Sequence, residues 1–179
     1  MDSINQNQEE KNHQDLSSAE AVQKIKELAD IAKTCFLSTN PSTLPSLGTR
    51  PMSVQQVEDS GAIWFMVAND SHTYQDISLN PDVRLYFQGS AHSDFLYLEG
   101  PAELSADQAK IKELWTPFLK TWFTEGENDP RIALIKVSPA SGYYWDNKHG
   151  NVVASLKIMV GAAIGKTLDD SIEGDLSLS

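Results

Sequence analysis

Two short segments carry side chains that could bind one anion. Arg50-Pro51-Met52-Ser53 places a guanidinium beside a proline, and Asp70-Ser71-His72-Thr73-Tyr74 brings hydroxyl groups together. A guanidinium can bind a phosphate or a carboxylate through two parallel hydrogen bonds, as a lysine cannot. Hydroxyls and backbone amides at the start of a helix also point toward an anion. The order of the two segments is compatible with one phosphate site.

Both segments also have a simpler interpretation. Pro51 cannot donate a hydrogen bond to a neighbouring strand and prefers an edge or an irregular position. Arg50 could therefore be an exposed arginine on an edge strand, and Ser71 could act only as the N-cap of a helix. Spacing alone favours neither interpretation of Arg50, so both stay open.

The rest of the chain is patterned mainly as short strands. Apolar, β-branched and alternating residues predict strands at 34–39, 48–57, 62–68, 82–88, 94–104, 132–138 and 142–146. Residues 62–68 are apolar on both faces, which indicates a central strand. Six or seven sequential strands with few helices between them predict a mainly β (α+β) fold, either an antiparallel barrel or a sandwich, which helices plug or flank.

Three helices are predicted before residue 120. Ser17-Ser18-Ala19-Glu20 has the spacing of a capping box. The apolar residues after it recur on one face, which predicts an amphipathic helix of about four turns. A short helix at 71–79 would be capped by Asp70 or Ser71, and another is predicted at 106–115.

The two ends of the chain differ from its centre in composition. Residues 1–16 are rich in Asn, Gln and charge, which predicts a disordered polar tail. Residues 17–150 are predicted to form the folded domain. The remainder, 151–179, is predicted to be a helix over 151–165 and then a loosely held acidic tail from Asp169 to Ser179.

Charge and composition exclude several functions. The 179-residue chain has a formal charge of -11 and no basic run, so nucleic acid is not an expected partner. The polar N-terminus lacks a secretory segment, and the apolar stretch 152–164 is too short to span a bilayer. A cytoplasmic location is the default expectation. The single cysteine, Cys35, is predicted to be a small buried hydrophobe.

Other catalytic motifs are weak. Gly161 to Thr167 resembles a phosphate-binding loop but is one residue short, and no strand and helix flank it as that loop requires. None of the four histidines has metal-ligand spacing with another, so no metal site is predicted. A nucleophile elbow is also missing. Most aromatic residues are expected in the core, whereas Trp145 lies where a strand ends and could face a ligand.

Six segments in register resemble the pyridoxamine 5′-phosphate oxidase-like family, in its branch of bacterial general stress proteins with an FMN-binding split barrel. These segments are Arg50-Pro51-Met52-Ser53, Trp64-Phe65-Met66-Val67, Asp70-Ser71-His72-Thr73, Asn80-Pro81-Asp82-Val83, Leu98-Glu99-Gly100-Pro101-Ala102 and Tyr144-Trp145-Asp146.

The resemblance implies a homodimer of six-stranded split barrels with flanking helices and with FMN at the interface. The residues that match the family's flavin-binding positions are Arg50, Pro51, Met52, Ser53, Met66, Val67, Ser71, His72, Thr73 and Trp145. In this comparison the backbone of Met66 and Val67 faces the flavin ring, Ser71 to Thr73 hold the phosphate, and Trp145 approaches the ring from across the interface.

Two departures separate the chain from the oxidases of that family. His72 and Thr73 stand where the family commonly has a lysine or arginine, and the arginine and histidine motif expected after Trp145 is absent. Oxidation of pyridoxamine 5′-phosphate is therefore not expected. The leading hypothesis is an FMN-binding flavoprotein. If it is catalytic, it is expected to be a flavin-dependent oxidoreductase that takes electrons from NAD(P)H. A non-catalytic flavin-binding or storage module and a cofactor-free interaction protein are the alternatives, and no catalytic residue can be named.

Overall fold

The computed structural model describes residues 12–40, 48–91, 93–148 and 170–178. Within these ranges the strands are β1 Leu16–Ser17, β2 Thr34–Ser38, β3 Thr49–Ser53, β4 Gln56–Val57, β5 Ile63–Ala68, β6 Asp82–Gln88, β7 Phe95–Ser105, β8 Ile132–Val137, β9 Ser141–Asn147 and β10 Ser171–Ser177. The helices are α1 Ser18–Ala32, α2 His72–Leu79 and α3 Gln108–Leu114, and two short 3-10 turns cover Pro117–Thr121 and Gly126–Asn128.

The strands form one curled, largely antiparallel sheet. Its main path runs β1-β10-β9-β7-β6-β2-β3, and β7 also pairs with β8, which pairs with β5 and through it with β4. Strand β7 changes partner near Gly100, where a Cβ atom would lie 2.3 Å from the carbonyl oxygen of Ser138. The fold is a mainly β split barrel with helices beside it, which confirms the predicted fold class.

The prediction of a single strand at 48–57 is wrong in one respect, because a bend at Val54 and Gln55 divides this segment into two strands. The first part, β3, pairs with β2, whereas the second part, β4, pairs with β5. The bend is held by the amide of Val54, which donates to the carbonyl of Lys33 at 3.0 Å, and by that of Gln55, which donates to Trp64 at 2.9 Å. One chain segment thereby joins the two edges of the barrel.

A gap remains between β3 and the second half of β5. The two strands approach each other, but among the described residues β5 pairs only with β4, at Ile63 and Trp64, and with β8 on its other side. We call the gap between β3 and residues 65–68 of β5 the seam. Backbone groups on this edge of β5 have no neighbouring strand in the described part of the chain.

The barrel interior is built from alternate residues of the strands. Cross-strand partners lie on the same face of a sheet, and the register places Arg50, Leu37, Leu85 and Leu98 in one inward row. Helix α1 packs into this interior with its buried residues Ala21, Ile25, Leu28 and Ala29. The amphipathic face predicted for the first helix therefore fills the core.

A second apolar cluster lies on the other side of β5. Trp64 and Met66 pack there, whereas Phe65 and Val67 face the barrel interior. The rest of this cluster comes from α3, the 3-10 segment and β8, namely Ile111, Leu114, Leu119, Phe123, Ile132 and Leu134. Strand β5 is thus buried on both faces, as its uniformly apolar sequence predicts.

The acidic C-terminal segment is a strand and not a loosely held tail. Strand β10 pairs with β9 along its whole length, and β1 pairs with it in parallel on the other side. Asn12 and Leu16, which belong to the predicted disordered tail 1–16, are buried here. The correction has a clear physical reason, because Gly174 and Leu176 point inward while the acidic Asp175 remains exposed.

The predicted starts of the first two helices are right in position, whereas α3 begins two residues after the predicted start at Ala106. Ser17 is the residue before α1, yet its side chain makes no capping hydrogen bond. The chain enters α1 through Ser18 with a φ of +49°, which differs from the usual entry of a capping box. The predicted helix at 151–165, the segment Gly161 to Thr167 and residues 1–11 of the predicted tail lie outside the described residues.

Two further expectations concern burial and membranes. Cys35 is buried, as predicted, and this burial raises the pKa of its thiol to about 12. In the described ranges, none of the helices has both the length and the apolar character needed to cross a membrane.

Candidate functional site

Arg50 lies on the edge strand β3, but its side chain is not an exposed surface group. Its cross-strand partner is Leu37, so it points toward the barrel interior beside the seam. The Nη1 atom of Arg50 is buried and has no hydrogen-bond partner among the described residues. The prediction of an edge position is confirmed, whereas the interpretation of Arg50 as an exposed surface arginine does not fit this geometry.

An unpartnered buried donor is costly. Leaving such a group without a hydrogen bond costs about 1–3 kcal/mol, and more when the group is charged. An anion or a carbonyl oxygen of a ligand would supply the missing acceptor. Arg50 therefore has the donor chemistry that a bound phosphate or flavin oxygen requires.

The hydroxyl-rich segment forms the start of α2. Ser71 is the N-cap, and its hydroxyl accepts a hydrogen bond from the amide of Tyr74 at 3.2 Å. His72 is exposed, whereas Thr73 is only 3% exposed. Thr73 can consequently meet a ligand through its backbone amide more readily than through its side chain. The helix predicted at 71–79 is confirmed in place and in its cap.

An ion pair supports the turn that precedes α2. Asn69 donates from its amide to the carbonyl of Arg131 at 2.8 Å and from its side chain to that of Pro130 at 3.0 Å. Arg131 in turn binds Asp129 twice, with Nε to Oδ1 at 3.0 Å and Nη2 to Oδ2 at 2.7 Å. This bonding to Arg131 lowers the pKa of Asp129 to about 2. The sequence did not predict this ion pair, because the spacing of Asp129 and Arg131 matches no known motif.

A buried polar contact connects β3 to α2. The amide of Thr39 donates to the carbonyl of Gly48 at 2.7 Å, just before β3 begins. The hydroxyl of Thr39 donates to Oδ2 of Asp76 on α2 at 2.8 Å, and Asp76 is 6% exposed. The strand that carries Arg50 and the helix that follows the hydroxyl-rich turn are therefore held in a common framework.

The remaining predicted residues divide between the two faces of the sheet. Met52 points inward and packs against the cluster that contains Val67, so both border the seam. Met66 packs in the second cluster, and only its backbone lies along the seam. Pro51 and Ser53 alternate with Arg50 and Met52 and are exposed on the outward face. The structure thus brings the predicted residues of β3 and β5 together and turns two of them outward.

The outward face carries a continuous row of rings across five strands. The register places Pro51, Phe36, Tyr86, Tyr97 and Tyr143 side by side, and we call them the aromatic row. Phe36 is 55% exposed and Tyr86 is 44% exposed, while the rings of Tyr86 and Tyr97 lie 5.3 Å apart. The row therefore places partly exposed apolar surface on one face of the sheet, a feature that is common at interaction sites.

Trp145 lies on the same outward face, one row away. It is 44% exposed, pairs across the sheet with Phe95 and stands 4.5 Å from the ring of Tyr143. Four strand spacings separate β9 from β3, or about 19 Å at the usual spacing of strands. Within one chain, Trp145 and Arg50 therefore do not form one site. Phe95 was missed, although it begins a strand whose outward residues are aromatic.

The family of the chain follows from its sequence and fold. A model of proteins described as pyridoxamine 5′-phosphate oxidase like matches residues 20–169. The chain belongs to the pyridoxamine 5′-phosphate oxidase-like family. No curated protein gives a significant match.

Solved structures of this family show the same fold. A protein from Jannaschia sp. CCS1, provisionally assigned as general stress protein 26, is 23% identical, with a TM-score of 0.72 over 87% of this chain and 96% of that one. General stress protein 26 from Bacillus anthracis is 26% identical, with a TM-score of 0.60 over 69% and 92%. The general stress FMN/FAD binding protein from Xanthomonas citri is 24% identical, with a TM-score of 0.57 over 66% and 84%.

Proposed function

We propose that this chain is an FMN-binding flavoprotein of the general stress protein type that works as a homodimer. The observation that carries the proposal is the Nη1 atom of the partly buried Arg50, which is buried beside the seam and has no hydrogen-bond partner among the described residues. An arginine on β3 and the start of α2, whose helix is linked to the segment before β3 through Thr39 and Asp76, together match a ligand with one phosphate group. The family relation supports a flavin, since a relative from Xanthomonas citri is described as FMN/FAD binding.

The residues divide into three roles in this proposal. Arg50 pairs with a phosphate or ribityl oxygen. The start of α2 offers the backbone amides of His72 and Thr73 to the phosphate and the hydroxyl of Ser71 beside them, whereas the amide of Ser71 donates to the carbonyl of Ala68 at 3.0 Å. Met66 points its backbone groups to the edge of β5 that lacks a neighbouring strand among the described residues, so they can meet the polar edge of the ring, while Val67 borders the seam with its side chain. Met52 contributes apolar contact beside them.

The aromatic row supports the proposed dimer. Phe36 and Tyr86 are exposed in the single chain, and a second copy would cover them with the same face. Pro51, Ser53 and Trp145 share that outward face. In the homodimer, Trp145 would approach the flavin held by the partner subunit, because it is too distant from Arg50 of its own chain.

Bound FMN supplies hydride chemistry, while the protein supplies binding, orientation and electrostatics. We propose that this chain is a flavin-dependent oxidoreductase that takes electrons from NAD(P)H and passes them to a substrate. These residues do not identify that substrate. Oxidation of pyridoxamine phosphate is not proposed, because Trp145 is followed by Asp146 and Asn147 and not by a phosphate-binding arginine.

Purification followed by FMN titration tests the binding. We expect a yellow protein, or one that turns yellow with added FMN, with one flavin per chain, and light scattering should give twice the mass of the chain. A colourless protein that takes up no FMN would refute the proposed flavin site. If that protein were still a dimer, the cofactor-free interaction protein would become the better hypothesis.

A second experiment separates an enzyme from a storage or sensing module. The flavin-loaded protein is mixed with NADH or NADPH without oxygen, and the flavin absorbance is followed. Loss of the yellow colour at a useful rate supports the oxidoreductase. A flavin that stays oxidised with both donors, and yet is reduced by dithionite, would instead favour flavin storage or sensing.

A further inference from the structure

A cavity opens beside Trp145 on the outward face of the sheet. Its volume is about 440 Å³, within the range of sites that hold small molecules. The described residues that line it are Ser93, Phe95, Trp145, Asp146, Asn147 and Ser171. It therefore lies where β7, β9 and β10 come together, at a distance from Arg50 of the same chain.

The chemistry of the lining favours a flat ring. Phe95 and Trp145 are cross-strand neighbours on one face, and the lining surface is mostly apolar. Trp145 keeps 44% of its surface exposed, so part of its indole is accessible to a ligand. Stacked aromatic rings attract each other beyond the effect of their buried area.

Among the described residues, carboxylates border this aromatic surface. Glu173 pairs with Trp145 across the sheet, and Asp175 pairs with Tyr143, so both carboxylates share the outward face with these rings. Burial raises the pKa of Tyr143, and Glu173 and Asp175 raise it further. Of the described lysines near the cavity, Lys24 binds Asp146 at 2.9 Å and Lys148 donates to Asn12 at 2.7 Å. A ligand with a negative charge would meet repulsion here.

We propose that this cavity binds a planar aromatic ring that carries no negative charge, stacked on Trp145, as the substrate of the flavin site. Its role as substrate rests on the proposed function, whereas the binding itself does not. The acidic border selects against phosphorylated and carboxylated rings. This preference is the opposite of that expected at the seam, where Arg50 favours an anion.

Two probes of the same shape test the selectivity. Binding of 2-naphthol and of naphthalene-2-sulfonate is measured by equilibrium dialysis at pH 7, with the full chain as purified and again after FMN loading. We expect the uncharged naphthol to bind about tenfold more tightly than the sulfonate in both samples. Equal affinity for the two probes, or no binding of naphthol, would overturn the inference.

Variants locate the binding. Trp145→Ala should weaken naphthol binding by about tenfold, whereas Trp145→Phe should retain most of it. Glu173→Gln should bring the affinity for the sulfonate closer to that for naphthol, while Glu103→Gln, a charge removal on an exposed part of β7, should not. Since Trp145 is largely exposed, circular dichroism should show that these variants remain folded. An unchanged affinity in Trp145→Ala would place the probe elsewhere.

The test of naphthol binding does not depend on whether the protein binds FMN. Flavin uptake is read from absorbance, so a chain that takes up no FMN but binds naphthol selectively would retain the cavity and lose the proposed flavin site. If FMN instead displaces naphthol, the cavity belongs to the flavin itself. That outcome would overturn a separate substrate position.

Discussion

The seam and the aromatic row break the usual rule of protein interiors in opposite ways. Folded proteins place charges in water and apolar groups inside. At the seam, Arg50 buries a guanidinium nitrogen that has no partner among the described residues. On the aromatic row, Phe36 and Tyr86 expose their rings. The two regions meet at β3, where Arg50 and Pro51 lie on opposite faces of the strand.

The contrast shows what each region lacks. The seam lacks an acceptor for a charged donor, which a small anionic ligand can supply. The aromatic row lacks a cover for apolar area, which a second copy of the chain can supply. The seam lacks one hydrogen-bond acceptor, whereas the aromatic row lacks contact over an extended area. Ligand binding tests the first and dimer formation tests the second, so the two can be examined separately.

The largest effect is expected at Arg50. Arg50→Ala and Arg50→Met should weaken FMN binding by about tenfold to a hundredfold, because a charge-assisted hydrogen bond is worth about 1.5–3 kcal/mol. Arg50→Met should leave the free energy of unfolding without FMN unchanged or raise it by about 1 kcal/mol, since it replaces a buried charge by an apolar chain. FMN titration and urea unfolding measure the two quantities.

Arg131 provides the matched control for this prediction. In contrast to Nη1 of Arg50, its guanidinium has a carboxylate partner, because Asp129 accepts two hydrogen bonds from it. Arg131→Met should therefore lower the free energy of unfolding, in contrast to Arg50→Met. If Arg50→Met is as destabilising as Arg131→Met, Arg50 is a structural residue and the proposed anion site loses its main support.

The next effect concerns the aromatic row. Phe36→Ala should raise the dissociation constant of the homodimer by about tenfold or more, since burial of a phenylalanine side chain contributes about 1.5–3 kcal/mol. The stability of the subunit should barely change, because Phe36 is exposed in the single chain. Sedimentation equilibrium measures the constant. Phe118→Ala, which removes a ring that is 69% exposed elsewhere, is the control and should have no effect on it.

A smaller effect is expected from the pair beneath the turn before α2. Bonding to Arg131 lowers the pKa of Asp129 to about 2 in the folded chain. The stabilisation is therefore present above the usual pKa of an aspartate, near 4, and is lost as the pH falls toward 2. Asp129→Asn should be less stable than the native chain at pH 6, and this difference should shrink as the pH approaches 2. A constant difference across that range would contradict the assignment.

The smallest effect tests the alternation of faces. Cys35 points inward next to Phe36, and burial raises the pKa of its thiol to about 12. A neutral thiol reagent at pH 8 should leave Cys35 unmodified in the folded chain and modify it once urea unfolds the protein. Rapid modification of the folded chain, followed by mass spectrometry, would show that β2 is not held in the register described.

Local patterns predicted the elements with regular alternation. Strand β6 has the bounds that its alternating sequence predicts, because Val83, Leu85 and Phe87 all meet the core. The doubly apolar β5 was also predicted as central. Strand β10 was missed because its acidic residues suggested a solvated tail. Its apolar residues Ile172 and Leu176 already had a period of two around Glu173 and Asp175, and that signal could have found it.

The direction of Arg50 could not be predicted from spacing. Whether a strand residue points inward depends on the register with its neighbour, and here Leu37 of β2 sets it. The same limit applies to the division of the predicted strand at 48–57, because the bend is held by Lys33 and Trp64, which are remote in sequence. Propensity contains no information about such distant partners.

The sequence by itself determined which residues form strands and helices, the chemistry available at Arg50 and at Ser71 to Thr73, and the family likeness, because these depend on residue type and local order. Only the tertiary structure decided that Nη1 of the arginine is buried without a partner among the described residues, that Pro51 and aromatic rings from four other strands form one row, and that Phe95 joins Trp145 at a cavity. Those features depend on cross-strand register and on burial, which pair residues far apart in the chain.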